Sequence, residues 1–244
     1  MMAGPRHGKP YSARRRRSQD LLVGLAGLIA LLVGGALLVV TLPQALAEEG
    51  DFLSASACQE APSEDCLHSA WFTVETVHVQ RGKQAGGWVH VSGPEEGAGR
   101  VRFSGLGEFL ENVRPGDHVA GTIWRGEIVV LSNGSAGQRA VSHPVGDSLF
   151  TAGTGILLAL GGAFVTYVSW FWLHTPVSSA RPRRKDLTAD ASATAVLGMY
   201  TFVLMMVLYD RDGSLGVFLA LWTPAAVATC AFLGRRYLRH GARR

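Results

Sequence analysis

The chain is poor in catalytic signatures. Its 244 residues contain no Gly-x-Ser-x-Gly, no His-Glu-x-x-His, no Gly-x-x-x-x-Gly-Lys and no Gly-x-Gly-x-x-Gly. On motif grounds this sets aside the nucleophile elbow, the zinc protease, the P-loop and the dinucleotide fold. Cysteine is also scarce, with Cys58, Cys66 and Cys230 only. There is no Cys-x-x-Cys or close His pair to complete a tetrahedral metal site, so no cofactor or metal is expected. Lysine occurs three times against twenty arginines, a bias that suggests a GC-rich bacterial coding sequence. The most informative absence is local. Asp, Glu, Lys, Arg and His are all missing from four apolar stretches, Leu21–Leu42, Ser148–Leu173, Ala191–Leu208 and Ser214–Gly234.

A helix rises about 1.5 Å per residue, so roughly 20 apolar residues span the ~30 Å hydrocarbon core. Four such stretches exceed what a soluble domain of this size can bury on all sides. The reading is therefore an α-helical membrane protein with four transmembrane helices, over residues 21–42, 148–173, 191–209 and 214–234. Tyr209 lengthens the third, and Pro224 is expected to kink the fourth.

Charge placement orients the chain. Arg6, Lys9 and Arg14–Arg17 precede the first span. Arg181, Arg183, Arg184 and Lys185 lie between the second and third, and Arg235, Arg236, Arg239, Arg243 and Arg244 follow the fourth. All three clusters fall on one side if every stretch spans, and Pro43–Asp147 carries seven basic against fourteen acidic residues. The positive-inside rule then puts both termini in the cytoplasm of a multi-pass cell-membrane protein and residues 43–147 outside. The clusters serve orientation and anionic headgroups rather than nucleic acid. Residues 1–20 read as a disordered basic cytoplasmic tail, 174–190 as a basic cytoplasmic loop, 210–213 as an external turn and 235–244 as a second basic tail. A competing reading takes Ala45-Leu46-Ala47 as the cleavage site of a secretory signal, but the apolar run of 22 residues is longer than a signal core of about 7–15.

Small residues recur at four-residue spacing in the first two spans, as Ala26, Ala30, Gly34 and as Gly155, Ala159, Ala163. Such stripes let helices approach closely. Outside the spans, residues 43–70 form an acidic linker in which Cys58 and Cys66, eight apart, are natural disulfide partners. Residues 71–147 then turn to strand patterning. Phe72–Val79, with a bulge near Glu75-Thr76, is followed by Gly86–Ser92 and Arg100–Phe103. Leu106–Val113 has helical periodicity, Pro115-Gly116-Asp117 is a turn, and His118–Trp124 with Glu127–Leu131 form a hairpin on Arg125-Gly126. Three strands, a short helix and a hairpin suit a small β-barrel of OB-like type, and the same order fits an SH3-like barrel or a plain curled sheet.

Trp71, Trp88 and Trp124 are candidates for a ligand or partner surface, against the alternative of barrel packing. His78, His90 and His118 would make a metal site only if neighbouring strands gathered them, which no spacing enforces. Tyr167, Trp170 and Trp172 fit an interfacial belt.

Arg114-Pro115-Gly116-Asp117-His118-Val119 and Trp124-Arg125-Gly126-Glu127-Ile128-Val129-Val130-Leu131 resemble a hairpin in multi-pass membrane proteins of actinobacteria. The joining of membrane spans to a small barrel is also similar to NfeD-type proteins, although there the barrel usually follows the spans, whereas here it is inserted between the first and second. Neither resemblance supplies an activity or functional residues. The functional expectation is a non-enzymatic envelope protein whose external domain binds a protein partner or envelope ligand. The alternatives are an accessory subunit of a transport or channel assembly, and a membrane-bound hydrolase.

Overall fold

The computed structural model describes residues 11–58, 66–82, 85–93, 97–134, 136–174, 180–211 and 213–241. Two units emerge. One comprises residues 46–145 and the other residues 1–45 with 146–244.

The first unit is a β structure built on the alternation of apolar residues. Its strands are β1 (His68–Gln80), β2 (Gly86–Ser92), β3 (Gly99–Phe103), β4 (His118–Trp124), β5 (Glu127–Asn133) and β6 (Ala136–Arg139). They form a single antiparallel sheet in the order β3-β2-β1-β4-β5-β6, curled into a half-barrel. β1 is long enough to be shared. His68–Thr73 pairs with β4 and Thr73–Gln80 with β2, and the register shifts between Val74 and Thr76, at the expected bulge. A bulge bends a strand and increases its twist, which lets one strand serve both halves of a curled sheet. The concave face buries Phe72, Val74, Val89, Val91, Val101, Phe103, Val119, Ile123, Ile128 and Leu131. The β4–β5 turn uses Arg125 (φ 51°) and Gly126 (φ 77°), the paired positive dihedrals of a type I′ hairpin.

Between β3 and β4 lies one short helix, α3 (Glu108–Asn112), which inserts Phe109 and Leu110 into the core. The strand β6 was not expected. Of its two inward residues Ala136 packs on the core, but the other is Gln138, where alternation would call for an apolar one. Gln138 Nε2 donates to Gly105 O (2.9 Å) and its Oε1 accepts from Leu110 N (3.2 Å), so the side chain fastens the loop carrying α3.

The linker also differs from expectation. Residues 42–54 form α2 (Leu42–Ser54), continuous with α1 (Tyr11–Ala36) through a π-helical turn at Leu37–Thr41. Pro43 lacks an N–H, and its ring would crowd the carbonyl four residues back. The wide turn, in which Leu42 N bonds Leu37 O, lies just before it and relieves that conflict. Ala45-Leu46-Ala47 sits within this helix. Beyond α2, Cys58 and Cys66 lie at disulfide distance, beside a bridge in which Cys58 N donates to Leu67 O (3.0 Å) and Leu67 N to Ser56 O (2.9 Å). A cross-link closing so short a loop contributes about 2–3 kcal/mol. Cys58→Ser is expected to lower the free energy of unfolding of the β unit by that amount, read as a lower denaturant midpoint at unchanged slope, and reductant to do the same to the natural chain. No shift under reductant would show that the pair is not bonded in the purified protein.

The other unit is helical. Four stretches are long and apolar enough to cross a membrane, Ser18–Ser54, Asp147–His174, Leu187–Asp210 and Leu215–Arg235. They belong to α1–α2, α4 (Asp147–His174), α5 (Ala180–Asp210) and α6 (Leu215–Gly241). Residues 1–10 of the expected tail and 175–179 of the expected loop lie outside the described residues, as do Asp212 and residues 242–244. Of the remainder, Tyr11–Asp20 and Ala180–Asp190 are helical rather than irregular. Pro224 lies inside α6.

Helices α1 and α4 pack antiparallel through glycine. A Cβ on Gly27 would lie 2.9 Å from Thr166 N, and one on Gly34 2.6 Å from Ala159 N. A Cβ on Gly155 would lie 2.8 Å from Leu38, one on Gly24 3.0 Å from Ser169, and one on Gly162 would collide with Leu31 N. In every pair the two residue numbers add to the same total, the mark of one unbroken antiparallel register. Gly34, Gly155 and Ala159 were expected here, but Ala26 and Ala163 are exposed. A ridge of fours drifts around a helix, whereas alternating threes and fours, as in Gly24, Gly27, Leu31 and Gly34, stay on the partner.

Between α5 and α6 the contact is polar as well as apolar. Trp222 Nε1 donates to Thr201 Oγ1 (2.8 Å), which donates to Leu197 O (2.7 Å), and Tyr200 OH donates to Leu221 O (3.0 Å). Met205 and Phe218 pack with Leu149 of α4.

Candidate functional site

The three tryptophans proposed from sequence do not share one fate. Trp124 is 5% exposed. Its ring meets Phe52 edge-on, with centroids 5.3 Å apart, and is covered by the Arg125 guanidinium 4.4 Å from its centroid. Arg125 also pairs with Asp51 at 2.8 Å. Phe52 and Asp51 come from the last turn of α2, so Trp124 is packing rather than surface. The helical extension past residue 42 is what buries it. Trp71 is 70% exposed on the convex face of β1, since its neighbour Phe72 takes the inward position. Trp88 is half-buried on the convex face of β2.

Around Trp88 the sheet assembles a cluster. Register places Trp88 opposite His78 on β1 and Arg102 on β3, and His90 opposite Thr76 and Arg100. The Arg100 guanidinium lies 4.4 Å from the Trp88 centroid. The His78 ring stacks on Trp88 with centroids 5.5 Å apart and planes 19° apart. His90 Nε2 is 3.5 Å from the Glu75 carboxylate. Five side chains from three strands therefore present cations and π-faces on one surface, and Arg100 and Arg102 are exposed. Arginine over an aromatic face holds its charge outward while its stem packs, at about 0.5–1 kcal/mol for an exposed pair. The arginines were legible as a pair, because Arg100-Val101-Arg102-Phe103 alternates charge with apolar bulk and a strand sends both arginines to one face.

The histidines follow separate paths. His118 Nδ1 lies 3.3 Å from Thr73 Oγ1, away from the stacked His78 and from His90. Among the described residues no three His, Cys, Asp or Glu side chains gather in a metal-binding group.

Alongside the cluster is a groove of about 500 Å³, lined by Gly97–Arg102, by Gly126–Ile128 and by Val141 and Ser142. It is the seam of the half-barrel. The edge strand β3 pairs with β2 on one side, and on the other Val141 N donates to Arg102 O (2.8 Å). Beyond that bond the chain turns away, Ser142 Oγ donating instead to Ile128 O (2.7 Å). Its volume falls in the ordinary range of ligand clefts, roughly 300–1,000 Å³.

One acid escaped the sequence reading. Asp190 precedes the uncharged run Ala191–Leu208, yet the apolar helical stretch begins at Leu187 and Asp190 is 9% exposed within it. Its carbonyl accepts from Thr194 Oγ1 (2.9 Å). The signal was its position directly before the charge-free run, inside a helix, α5, that starts ten residues earlier at Ala180.

Comparison of the chain with protein-family models, with curated proteins and with solved structures finds no match.

Proposed function

We propose that the protein is a non-enzymatic component of the cell envelope, in which a membrane-anchored β domain recognises an anionic partner. The observation that carries this reading is the Arg100–Trp88–His78 stack with Arg102 and His90 beside it. The 43–147 segment is acidic in sum, and against that background two exposed arginines and two histidines converge on one aromatic face. Placement outside the cytoplasm, with both termini inside, rests on the three arginine clusters. The Cys58–Cys66 pairing is consistent with it, because disulfides persist in oxidising compartments. An OB-like barrel is the form of the domain we favour over an SH3-like one. Support comes from a bent β1 shared between β2 and β4 and from the helix α3 between β3 and β4.

The reading is tested in the native cell with a photoreactive residue at Thr76, exposed and opposite His90 of the cluster, and a control at exposed Asn133. Capture of one abundant envelope component from Thr76 is expected, with the yield reduced about tenfold by Arg100→Glu with Arg102→Glu. Exposed charge pairs contribute up to ~1 kcal/mol each and 1.4 kcal/mol is tenfold. Equal capture from both positions, or capture of lipid and of the chain itself only, would remove the support.

A further inference from the structure

We infer that the seam edge of β3 receives an extended acidic peptide of a partner protein as an added strand. This rests on the recognition role proposed above and names its occupant. Backbone groups two residues apart in a strand point to the same edge. Arg102 O is bonded across the seam by Val141 N, so the N–H and C=O of Arg100 face the seam as well. On that edge, among the described residues, Val141 is the residue bonded to β3. The sheet has thus begun a sixth pairing and abandoned it after one bond, leaving a groove of about 500 Å³ between two walls of backbone.

Side-chain chemistry selects what enters. A strand laid along β3 would set alternate residues opposite Arg100 and Arg102 on the convex face, where opposite charges stabilise and like charges repel. A second copy pairing edge to edge in antiparallel fashion would bring Arg100 against Arg102, which disfavours it. An acidic strand meets the same two arginines as partners, beside Trp88. The intervening residues would face inward over Val101 and Ile128, both of which line the groove. The expected ligand sequence therefore alternates Glu or Asp with β-branched residues, and main-chain bonding supplies the rest, as in other strand-addition sites.

The test uses the full chain in nanodiscs of zwitterionic lipid. The probes are a short peptide alternating Glu and Val, a peptide of the same composition with the glutamates in one block, and a Lys–Val alternating peptide. The readouts are affinity and hydrogen exchange at the Arg100 amide. The alternating acidic peptide is expected to bind and slow that exchange, whereas the block peptide is not. Arg100→Glu with Arg102→Glu is expected to weaken it about tenfold or more and to confer binding of the Lys–Val peptide. Equal binding of alternating and block peptides would overturn the inference, as would binding that leaves the Arg100 amide unprotected. No binding of any peptide, or binding matched by anionic lipid vesicles, would also overturn it. If these peptides fail while the Thr76 photoprobe still captures an envelope component, the recognition role stands and only the strand-addition mode falls.

Discussion

Phe72→Ala is expected to cost the β unit about 3–5 kcal/mol, the usual range for removing a buried aromatic ring. Phe72 is 1% exposed and lies on the concave face where β1 crosses from β4 towards β2. Its ring occupies space that two glycines leave open. A Cβ on Gly121 of β4 would lie 2.6 Å from the ring, and so would one on Gly93 after β2. With no side chains there to collapse inward, the cavity left by truncation stays largely unfilled, which places the cost towards the upper end. A domain of about a hundred residues holds roughly 5–15 kcal/mol in total. The midpoint of thermal unfolding, followed by near-ultraviolet circular dichroism, should therefore fall by more than about 10 °C. Trp71→Ala is the matched control. Trp71 is adjacent in sequence but exposed on the convex face, so its change should stay within about 0.5 kcal/mol. If the two variants unfolded alike, the inward and outward assignment of β1 would be wrong, and with it the position of the arginine face.

The second large effect belongs to the helical unit. Gly162→Leu should separate α1 from α4, because even a Cβ at that position meets the backbone of Leu31. Backbone cannot yield as a side-chain tip can, and overpacking of this kind costs about 1–3 kcal/mol or more. Without a strong hydrophobic force between helices in lipid, close packing is a main source of association. The loss is therefore expected to show as a lower melting point of the detergent-solubilised protein and poorer recovery as a single species on size exclusion. Gly161→Leu adds the same side chain one residue earlier, where a Cβ meets nothing within 4 Å, and should leave both measurements unchanged. Equal damage from the two would argue that leucine in this stretch of α4 is harmful for reasons unrelated to the α1–α4 contact.

Much of this architecture is visible in one dimension because its physical causes are local or cumulative. Four uncharged apolar stretches announce four long apolar helices, since cost in hydrocarbon depends on composition alone. The strands Gly86–Ser92 and His118–Trp124 have the bounds their alternation indicates, and the Arg125-Gly126 turn follows from its two residues. The pairing of Cys58 with Cys66 follows from proximity in the chain. What a residue touches across the fold is another matter. Trp124 reads as well as Trp88 for a surface aromatic, and only α2, continuing past the apolar run to bring Phe52 against it, decides that it is buried. The strand β6 does not read as an apolar alternation because Gln138 takes an inward position to hold Gly105 and Leu110, a demand set by α3 more than twenty-five residues away in sequence. The small-residue stripe chosen by spacing was partly displaced, because which glycines matter depends on the register of the partner helix. Sequence by itself determined the number of long apolar helices, the β character of the intervening segment and the disulfide pair, all consequences of local periodicity and composition. Tertiary structure alone decided which aromatics are exposed, that Arg100 and Arg102 flank Trp88, and that the sheet is left open beside them. Those outcomes depend on strand order and curl, which no single segment encodes.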